Sequence, residues 1–524
     1  MYELSVACKY LTPRWRQLSV SIISLVSILV IALVVWLIVV FFSVTHGLEK
    51  NWIYKLTALT APVRVTPTEA YYQSYYYQID GISASSDYTL KSIHEKLNSQ
   101  LIDPYDPSVD EEIPSTWAKP LIDEKGRSKD IVKETYRLAA NLPNVKNLIV
   151  SDFEMTSGNL RLHMVRESKE GLQSQSLSQT TYLGTFDPTN PALSQVILPL
   201  TDADKKNLAR EIAIAGGSIK NDGLTVSTIE NSNGKQLVLP SDTILGEGIL
   251  APKSYQNAGA LIGDRGHLTY YAATTSSMQE QHLPVYIAGF YDPGIFPIGS
   301  KFILANPELI SLVHSSQQQS QVPFSSGFNI RFSDFNQAAE VKANLEKALQ
   351  ENGLAPYWHI ETYREFDFTK DLIQQLSSER NLWTLLATVI IIVACSNIIS
   401  MLIILVNDKK LEIGILRSMG ASSASIAIIF GACGMVMGAA GSIIGTLAAV
   451  LTLRNLQALV NFIGRVQGYD MFNPVFYGNT LPNEFSFEAL LFVVIMTSGI
   501  SLLAGIVPAI KASMIRPSNI LRAE

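Results

Sequence analysis

Four long runs with no charged side chain decide what this chain can fold into: residues 17–48, 381–407, 418–453 and 489–510. A helix rises 1.5 Å per residue, so about 20 apolar residues cross a hydrocarbon core of roughly 30 Å. Each run is long enough. In lipid a backbone N–H or C=O finds no water, and only helices and closed barrels pair them all internally. The expected fold is an α-helical membrane protein with four transmembrane helices, at 18–45, 381–407, 424–453 and 488–510. Between the first two lies a large α+β extracytoplasmic (periplasmic) domain, 46–380, long enough for two subdomains.

Charge sets the orientation. Lys9, Arg14 and Arg16 precede the first span, Lys409, Lys410 and Arg417 follow the second, and Lys511, Arg516 and Arg522 follow the fourth. Basic residues mark the cytoplasmic side. The 1–17 interfacial segment, the 408–423 segment and the 511–524 tail are therefore expected inside, and 46–380 and the 454–487 loop outside. Of the 40 Lys+Arg and 46 Asp+Glu, 11 and 7 lie outside the insert, which leaves it 29 basic and 39 acidic residues, a net charge of −10. An acidic domain is a poor nucleic-acid binder, so no nucleic-acid partner is expected. Cys8, Cys395 and Cys433 all fall outside the insert, which must fold without disulfides. Residues 4–8 look superficially like a lipoprotein cleavage box, but no apolar segment precedes them. Residues 18–45 are too long for a signal peptide and read as an uncleaved anchor.

Within the insert, amphipathic helices are expected at 129–142 and 338–352, and strands at 63–65, 236–239, 268–271 and 285–288. Pro104, Pro107, Pro114 and Pro120 mark 101–120 as an irregular connection. Tyr71, Tyr72, Tyr75, Tyr76 and Tyr77 are read as strand and core packing in preference to a ligand platform. The Ser/Gln/Thr-rich 173–185 and the polar 315–321 are expected as exposed loops. In the third span Gly431, Gly434, Gly438, Gly441 and Gly445 recur at steps of 3, 4, 3 and 4. That strips one helix face of side chains and lets another helix approach closely. Packing against a neighbouring span is favoured over a sliding or dimer interface. Pro508 is expected to kink or loosen the end of the fourth span.

No catalytic apparatus is visible. The spans carry no ionisable residue away from their ends, which argues against a proton- or ion-coupled transporter. His46, His94, His163, His267, His282, His314 and His359 are scattered without ligand spacing, so no metal site is expected. There is no G-x-S-x-G elbow. Asn233-Gly234-Lys235-Gln236 lacks the first glycine and the hydroxyl of a phosphate loop, and Gly263-Asp264-Arg265-Gly266 reads as a turn between strands. No cofactor is expected in this chain.

The most specific signal follows the second span. In Asn407-Asp408-Lys409-Lys410-Leu411-Glu412-Ile413-Gly414-Ile415-Leu416-Arg417-Ser418-Met419-Gly420-Ala421, Leu411, Ile415 and Leu416 share one side at helical period. With Ala394-Cys395-Ser396-Asn397 before it, this stretch resembles the FtsX/MacB-type ABC permeases, and within them the LolC/LolE lipoprotein-releasing family. Residues 42–49, 244–248, 262–265, 285–290, 481–482, 508–512 and 517–524 are similar to the same family.

The resemblance implies a non-catalytic, multi-pass subunit of the cell inner membrane, with both termini cytoplasmic. Its implied partners are a separate LolD-like ATPase that binds ATP and Mg, and a second permease, identical or of LolC/LolE type. A LolA-like periplasmic carrier would receive acylated lipoproteins drawn from among the membrane lipids by mechanotransmission. Residues 408–423 would be the coupling segment, with Lys409, Lys410, Glu412, Ile413, Leu416, Arg417, Met419, Gly420 and Ala421 at the ATPase. Glu412 and Arg417 would be its polar contacts, Ile413 and Leu416 its apolar ones. The first span departs from the family in bulk: Val30, Leu33, Val34, Val35 and Trp36 stand where small residues are common. The carrier-binding hook has no clear equivalent, and 184–200, with Pro188, Pro191 and Pro199, is the candidate. Residues 418–421 look more like LolE than LolC, and a homodimer or a heterodimer both stay open. The alternatives are an FtsX-like signalling permease, MacB-like efflux, and a membrane-tethered receptor or ectoenzyme.

Overall fold

A computed structural model describes residues 18–123, 126–168, 171–214, 224–231, 234–242, 245–273, 277–294, 298–317, 325–468 and 485–513. The segment expected at 1–17, residues 469–484 of the expected outside loop and 514–524 of the expected tail lie outside the described residues. In chain order the first principal elements are α1 (Leu18–Leu59), β1 (Val63–Pro67), α2 (Ile131–Ala140), β2 (Ile149–Ser168), β3 (Gly171–Thr185), α3 (Asp202–Ile214), β4 (Ser227–Asn231), β5 (Gly234–Val238), β6 (Ser241–Asp242) and β7 (Gly246–Pro252). Next come β8 (Arg265–Ala273), β9 (Met278–Tyr291), β10 (Phe302–Ala305), α4 (Pro307–Gln317), β11 (Ser325–Arg331), α5 (Ala338–Glu351) and β12 (Trp358–Thr362). The last are α6 (Asp367–Asp408), α7 (Lys410–Ser418), α8 (Ser423–Arg454), α9 (Leu456–Gln467) and α10 (Phe487–Ser513). The chain divides into two compact units, one of 52–373 and one of 1–51 with 374–524.

In the helical unit, α1, α6, α8 and α10 are each long and apolar enough to cross a membrane. The first two contain 42 residues apiece, about 63 Å of helix, roughly twice a hydrocarbon core. They outrun the expected 18–45 and 381–407 because charge marks where lipid ends but does not stop a helix. No proline interrupts either one. Helix α10 continues through Pro508 to Ser513. Side-chain pairs fix the directions. Ser27 Oγ donates to Asn397 Oδ1 at 2.8 Å, Phe41 packs on Trp383 with ring centroids 4.6 Å apart, and Glu49 lies 3.8 Å from Arg380. As numbering rises on α1 it falls on α6, so the two run antiparallel. Trp36 Nε1 donates to Thr452 Oγ1 at 2.9 Å, and Ser442 shares a buried hydroxyl bond of 2.9 Å with Thr497.

In the other unit one sheet runs in the order β12-β1-β11-β2-β3-β10-β7-β9-β8, and a further pairing of β2 with β8 closes six of these strands into a ring. Strand β2 does this through length. Its residues Ile149 to Met155 pair with β11, and Asn159 to His163 pair with β8. All six ring strands feed one apolar cluster, through Leu160, Leu162, Leu183, Ile249, Leu268, Val285, Ile287 and Ile303. A second cluster joins β1, β11 and β12 to α2 and α5 through Val63, Phe328, Ile360, Ile131, Val341 and Leu345. The expected helices at 129–142 and 338–352 coincide with α2 and α5 to within two residues at each end, and the expected strands overlap β1, β5, β8 and β9, 236–239 running one residue past β5.

Two expectations fail. Residues 173–185 are strand β3 rather than a loop, paired with β2 from Gly171–Ser168 to Gly184–Met155. Residues 173–176 are exposed at every position, so this end of the strand needs no apolar residue, and its polar composition imitates a loop. The tyrosine stretch forms two short helices, Glu69–Tyr72 and Tyr75–Gln78, not a strand; Ser74 caps the second by accepting from Tyr77 N–H. Its core role stands: Tyr71 is buried, 5.4 Å from the Trp358 ring. Of 315–321, residues 315–317 end α4 and the rest lie outside the described residues.

Arg331 is the main polar fastening of this unit. Its Nη1 lies 2.6 Å from Asp187 Oδ2 and 2.6 Å from Ser151 Oγ, and its Nη2 donates to Thr60 O at 2.9 Å. Both side chains are about nine-tenths buried. Burial pushes the Asp187 carboxyl up, but Arg331, Ser151 and Thr189 together hold it below its ordinary value. A depressed folded pKa gives stability that is present above the unfolded value, near about 3.9, and lost as pH falls through the folded one. Arg331→Met should cost about 3–5 kcal/mol by stranding a buried carboxylate. Denaturant unfolding of the purified chain, followed by near-UV circular dichroism, should show this loss, and the acid limb of the stability curve should flatten.

Candidate functional site

The junction from α6 through α7 to α8 is held at both ends by its own sequence. At its start, Lys409 N–H still donates to Leu405 O at 3.0 Å. The Lys409 side chain is 5% exposed, and its Nζ donates to Glu412 Oε1 at 2.6 Å. Glu412 lies in the first turn of α7, where a carboxylate also suits the helix dipole. At the other end Ala421 N–H reaches Leu416 O at 3.0 Å and Gly420 N–H reaches Arg417 O at 3.1 Å, with Gly420 at φ +101°. This is a Schellman closure, and its left-handed position favours glycine. Ser422 then caps α8, its hydroxyl accepting from Ser425 N–H at 3.0 Å, while Arg417 Nη2 donates to Ser423 Oγ at 3.2 Å.

Helix α7 turns one face inward. Ile413 is 1% exposed and joins the apolar core of the helical unit with Leu402, Leu405, Ile426 and Phe430; Gly414 beside it is buried. Ile413, expected as an apolar contact of the coupling segment, packs into the core of this chain. A short helix fastened to two long ones must bury a face, and the small Gly414 lets this face come close. Leu416, Arg417 and Ala421 are half-buried, and Lys410, Met419 and Gly420 are exposed. The outward apolar row is Leu411, Ile415 and Met419, at 48%, 43% and 80% exposure. Glu412 remains 45% exposed despite its ion pair.

The glycine row of α8 serves two neighbours. A Cβ on Gly505 of α10 would stand 3.0 Å from Gly431 Cα, and one on Gly434 would stand 2.8 Å from Ser501 O; Gly438 faces the Ser501 side chain. Farther along, a Cβ on Gly441 would stand 2.7 Å from Ile31 Cγ2, and one on Gly445 2.8 Å from Val35 Cβ. One stripe of missing side chains therefore receives α10 at one end and α1 at the other. The order of these pairs makes α8 antiparallel to α10 and parallel to α1.

Elsewhere, Pro188, Pro191 and Pro199 are exposed on a connection tied to the sheet: Leu237 N–H donates to Pro188 O at 3.2 Å and Leu198 N–H to Phe290 O at 2.8 Å. Three of the histidines taken as scattered come together. His163 on β2, His267 on β8 and His282 on β9 meet edge to face on one exposed face, with ring centroids 5.9 and 6.3 Å apart. Burial and the two neighbouring imidazoles hold His267 below its ordinary value. No spacing in sequence announces this trio, which depends on the pairing of β2 with β8. Among the described residues no three His, Cys, Asp or Glu side chains are arranged to hold a metal.

Residues 384–517 match the FtsX-like permease C-terminal family. The chain is similar to the lipoprotein-releasing system transmembrane protein LolC of Xylella fastidiosa, 24% identical over 335 residues, 64% of this chain and 73% of that one. It is 33% identical to LolC of Haemophilus influenzae over 154 residues, 29% and 36% of the two chains. To LolE of the same organism it is 32% identical over 138 residues, 26% and 33%.

The glycine contacts make a direct prediction. Gly441→Val should lower the unfolding temperature of the detergent-purified chain, equivalent to about 1–3 kcal/mol of overpacking. Gly499→Ala, where nothing lies within 4 Å of the new carbon, should leave it almost unchanged.

Proposed function

We propose, from the premise that this chain is an ABC permease of the FtsX/MacB type close to LolC and LolE, that it is the membrane subunit of an ATP-driven system releasing acylated lipoproteins. One observation carries the reading. Similarity to a LolC protein runs over 335 residues, more than the 189 of the 524 that lie outside 46–380, so it takes in at least part of the large domain. A likeness confined to 384–517 would suit any FtsX-type permease.

The proposed topology has four spans in the cytoplasmic membrane, α7 and both termini inside, and the large domain outside. The helix directions support it. Successive spans must alternate, and α1 runs parallel to α8 while α6 and α10 run opposite to them. The basic residues flanking α7 supply the sign.

A separate ATPase, holding ATP and Mg, supplies the driving force at α7. The outward row of Leu411, Ile415 and Met419 forms the apolar contact, with Lys410, Glu412 and Arg417 around it. The Lys409–Glu412 pair and the Gly420 closure keep α7 rigid, and Ile413 seats it in the bundle. A push on α7 therefore moves the spans instead of bending a loop. A second permease subunit completes the pair, and a periplasmic carrier takes the lipoprotein, with 184–200 as its candidate docking segment.

Depletion of the chain should leave acylated lipoproteins in the cytoplasmic membrane fraction. Leu411→Glu combined with Ile415→Glu should reproduce that defect while the chain stays at its normal level in the membrane. Normal lipoprotein sorting with a defect confined to a periplasmic hydrolase would sink release and favour the signalling permease.

A further inference from the structure

Helix α9 leaves the end of α8 after a single joint residue. Asn455 makes that joint: its N–H donates to Thr452 O at 3.1 Å, and its side-chain amide donates to Leu451 O at 3.1 Å. The two groups finish the last turn of α8, and the chain turns directly into Leu456. Gly468, at φ +80°, ends the helix twelve residues later.

The helix is amphipathic. Gln457, Asn461 and Arg465 share one side, and Gln457 Nε2 donates to Asn461 Oδ1 at 3.2 Å. The remaining arc is apolar and has two edges. Along the inner edge Leu456 is buried and Val460 and Ile463 are half-buried. Along the outer edge Leu459, Phe462 and Val466 are 38%, 65% and 72% exposed.

Two observations select what covers that outer edge. Arg454, the first charged residue after the uncharged run 418–453, comes one residue before the joint, and Trp36 bonds Thr452 one turn before it. A helix that starts there with no linker begins in the headgroup zone. Arg454, the last residue of α8, and Arg465, in the last turn of α9, suit anionic headgroups. We infer that α9 lies in the plane of the extracytoplasmic leaflet, with Leu459, Phe462 and Val466 among the lipid chains and Gln457, Asn461 and Arg465 in the headgroup layer. This rests on the topology proposed above, in which the end of α8 is outside.

The test uses the full chain with Cys8, Cys395 and Cys433 replaced by alanine, reconstituted in phosphatidylethanolamine–phosphatidylglycerol vesicles. Single spin labels are placed by Leu459→Cys, Phe462→Cys, Val466→Cys, Gln457→Cys, Asn461→Cys and Arg465→Cys, with Leu447→Cys and Leu451→Cys reading α8 itself. Collision rates with oxygen, which concentrates in lipid, and with a water-soluble nickel chelate are compared. The expected result is an excess of oxygen collisions at 459, 462 and 466 and an excess of nickel collisions at 457, 461 and 465. Protection from both reagents at 459, 462 and 466 means that protein covers the edge, and overturns the inference. Nickel excess at all six positions means that the helix stands in water, and overturns it too. In both cases an oxygen excess at 447 and 451 leaves the span assignment standing; its loss there takes down the topology as well.

Discussion

The bundle depends on side chains that are missing. In lipid, apolar surface gains little by moving from hydrocarbon onto another helix, so association rests on how closely the backbones approach. The glycine row of α8 provides that approach twice. Gly434 and Gly438, with Gly505 of α10 set against the Gly431 backbone, admit α10, and Gly441 and Gly445 admit α1. The first span looks too bulky beside the permeases it resembles when read alone. Against α8 the bulk has a use, since Ile31 and Val35 occupy the room that the two glycines leave. Polar pairs then set depth and rotation: Ser442 with Thr497, Ser27 with Asn397, and Trp36 with Thr452.

On that bundle α7 is held fast at both ends. Its buried Ile413 ties it to α6 and α8, its Lys409–Glu412 pair stiffens the entry, and Gly420 turns the exit without slack. A nine-residue helix would be marginal alone. Fixed in this way it presents Leu411, Ile415 and Met419 as a stable outward row. The same features that hold it still are the ones that would pass a force to the spans.

Much of this was legible in the sequence because lipid imposes a strict code. The four uncharged runs located the four long helices, and the glycine spacing marked the face on which α8 packs. The ends of α1 and α6 were not legible, since a polar turn such as 374–380 continues a helix as readily as it ends one. Nor was the orientation of α7. With apolar residues at 411, 413, 415 and 416 the helix has two apolar faces, and only the bundle decides that Ile413 turns inward. Strand β3 was hidden by its serines, which mark a solvent face as well as a loop. The meeting of His163 with His267 depends on strand pairing between residues about a hundred apart in sequence, which local patterns do not encode.

The central claim is ATP-driven release of lipoproteins through this chain. The most direct measurement reconstitutes it with its cognate ATPase and an acylated lipoprotein in proteoliposomes, then adds a periplasmic carrier. The account predicts soluble lipoprotein–carrier complex only when ATP and Mg are present, and its loss when lipoprotein lacking its acyl chains is used. Sustained ATP hydrolysis with no lipoprotein leaving the membrane would contradict it.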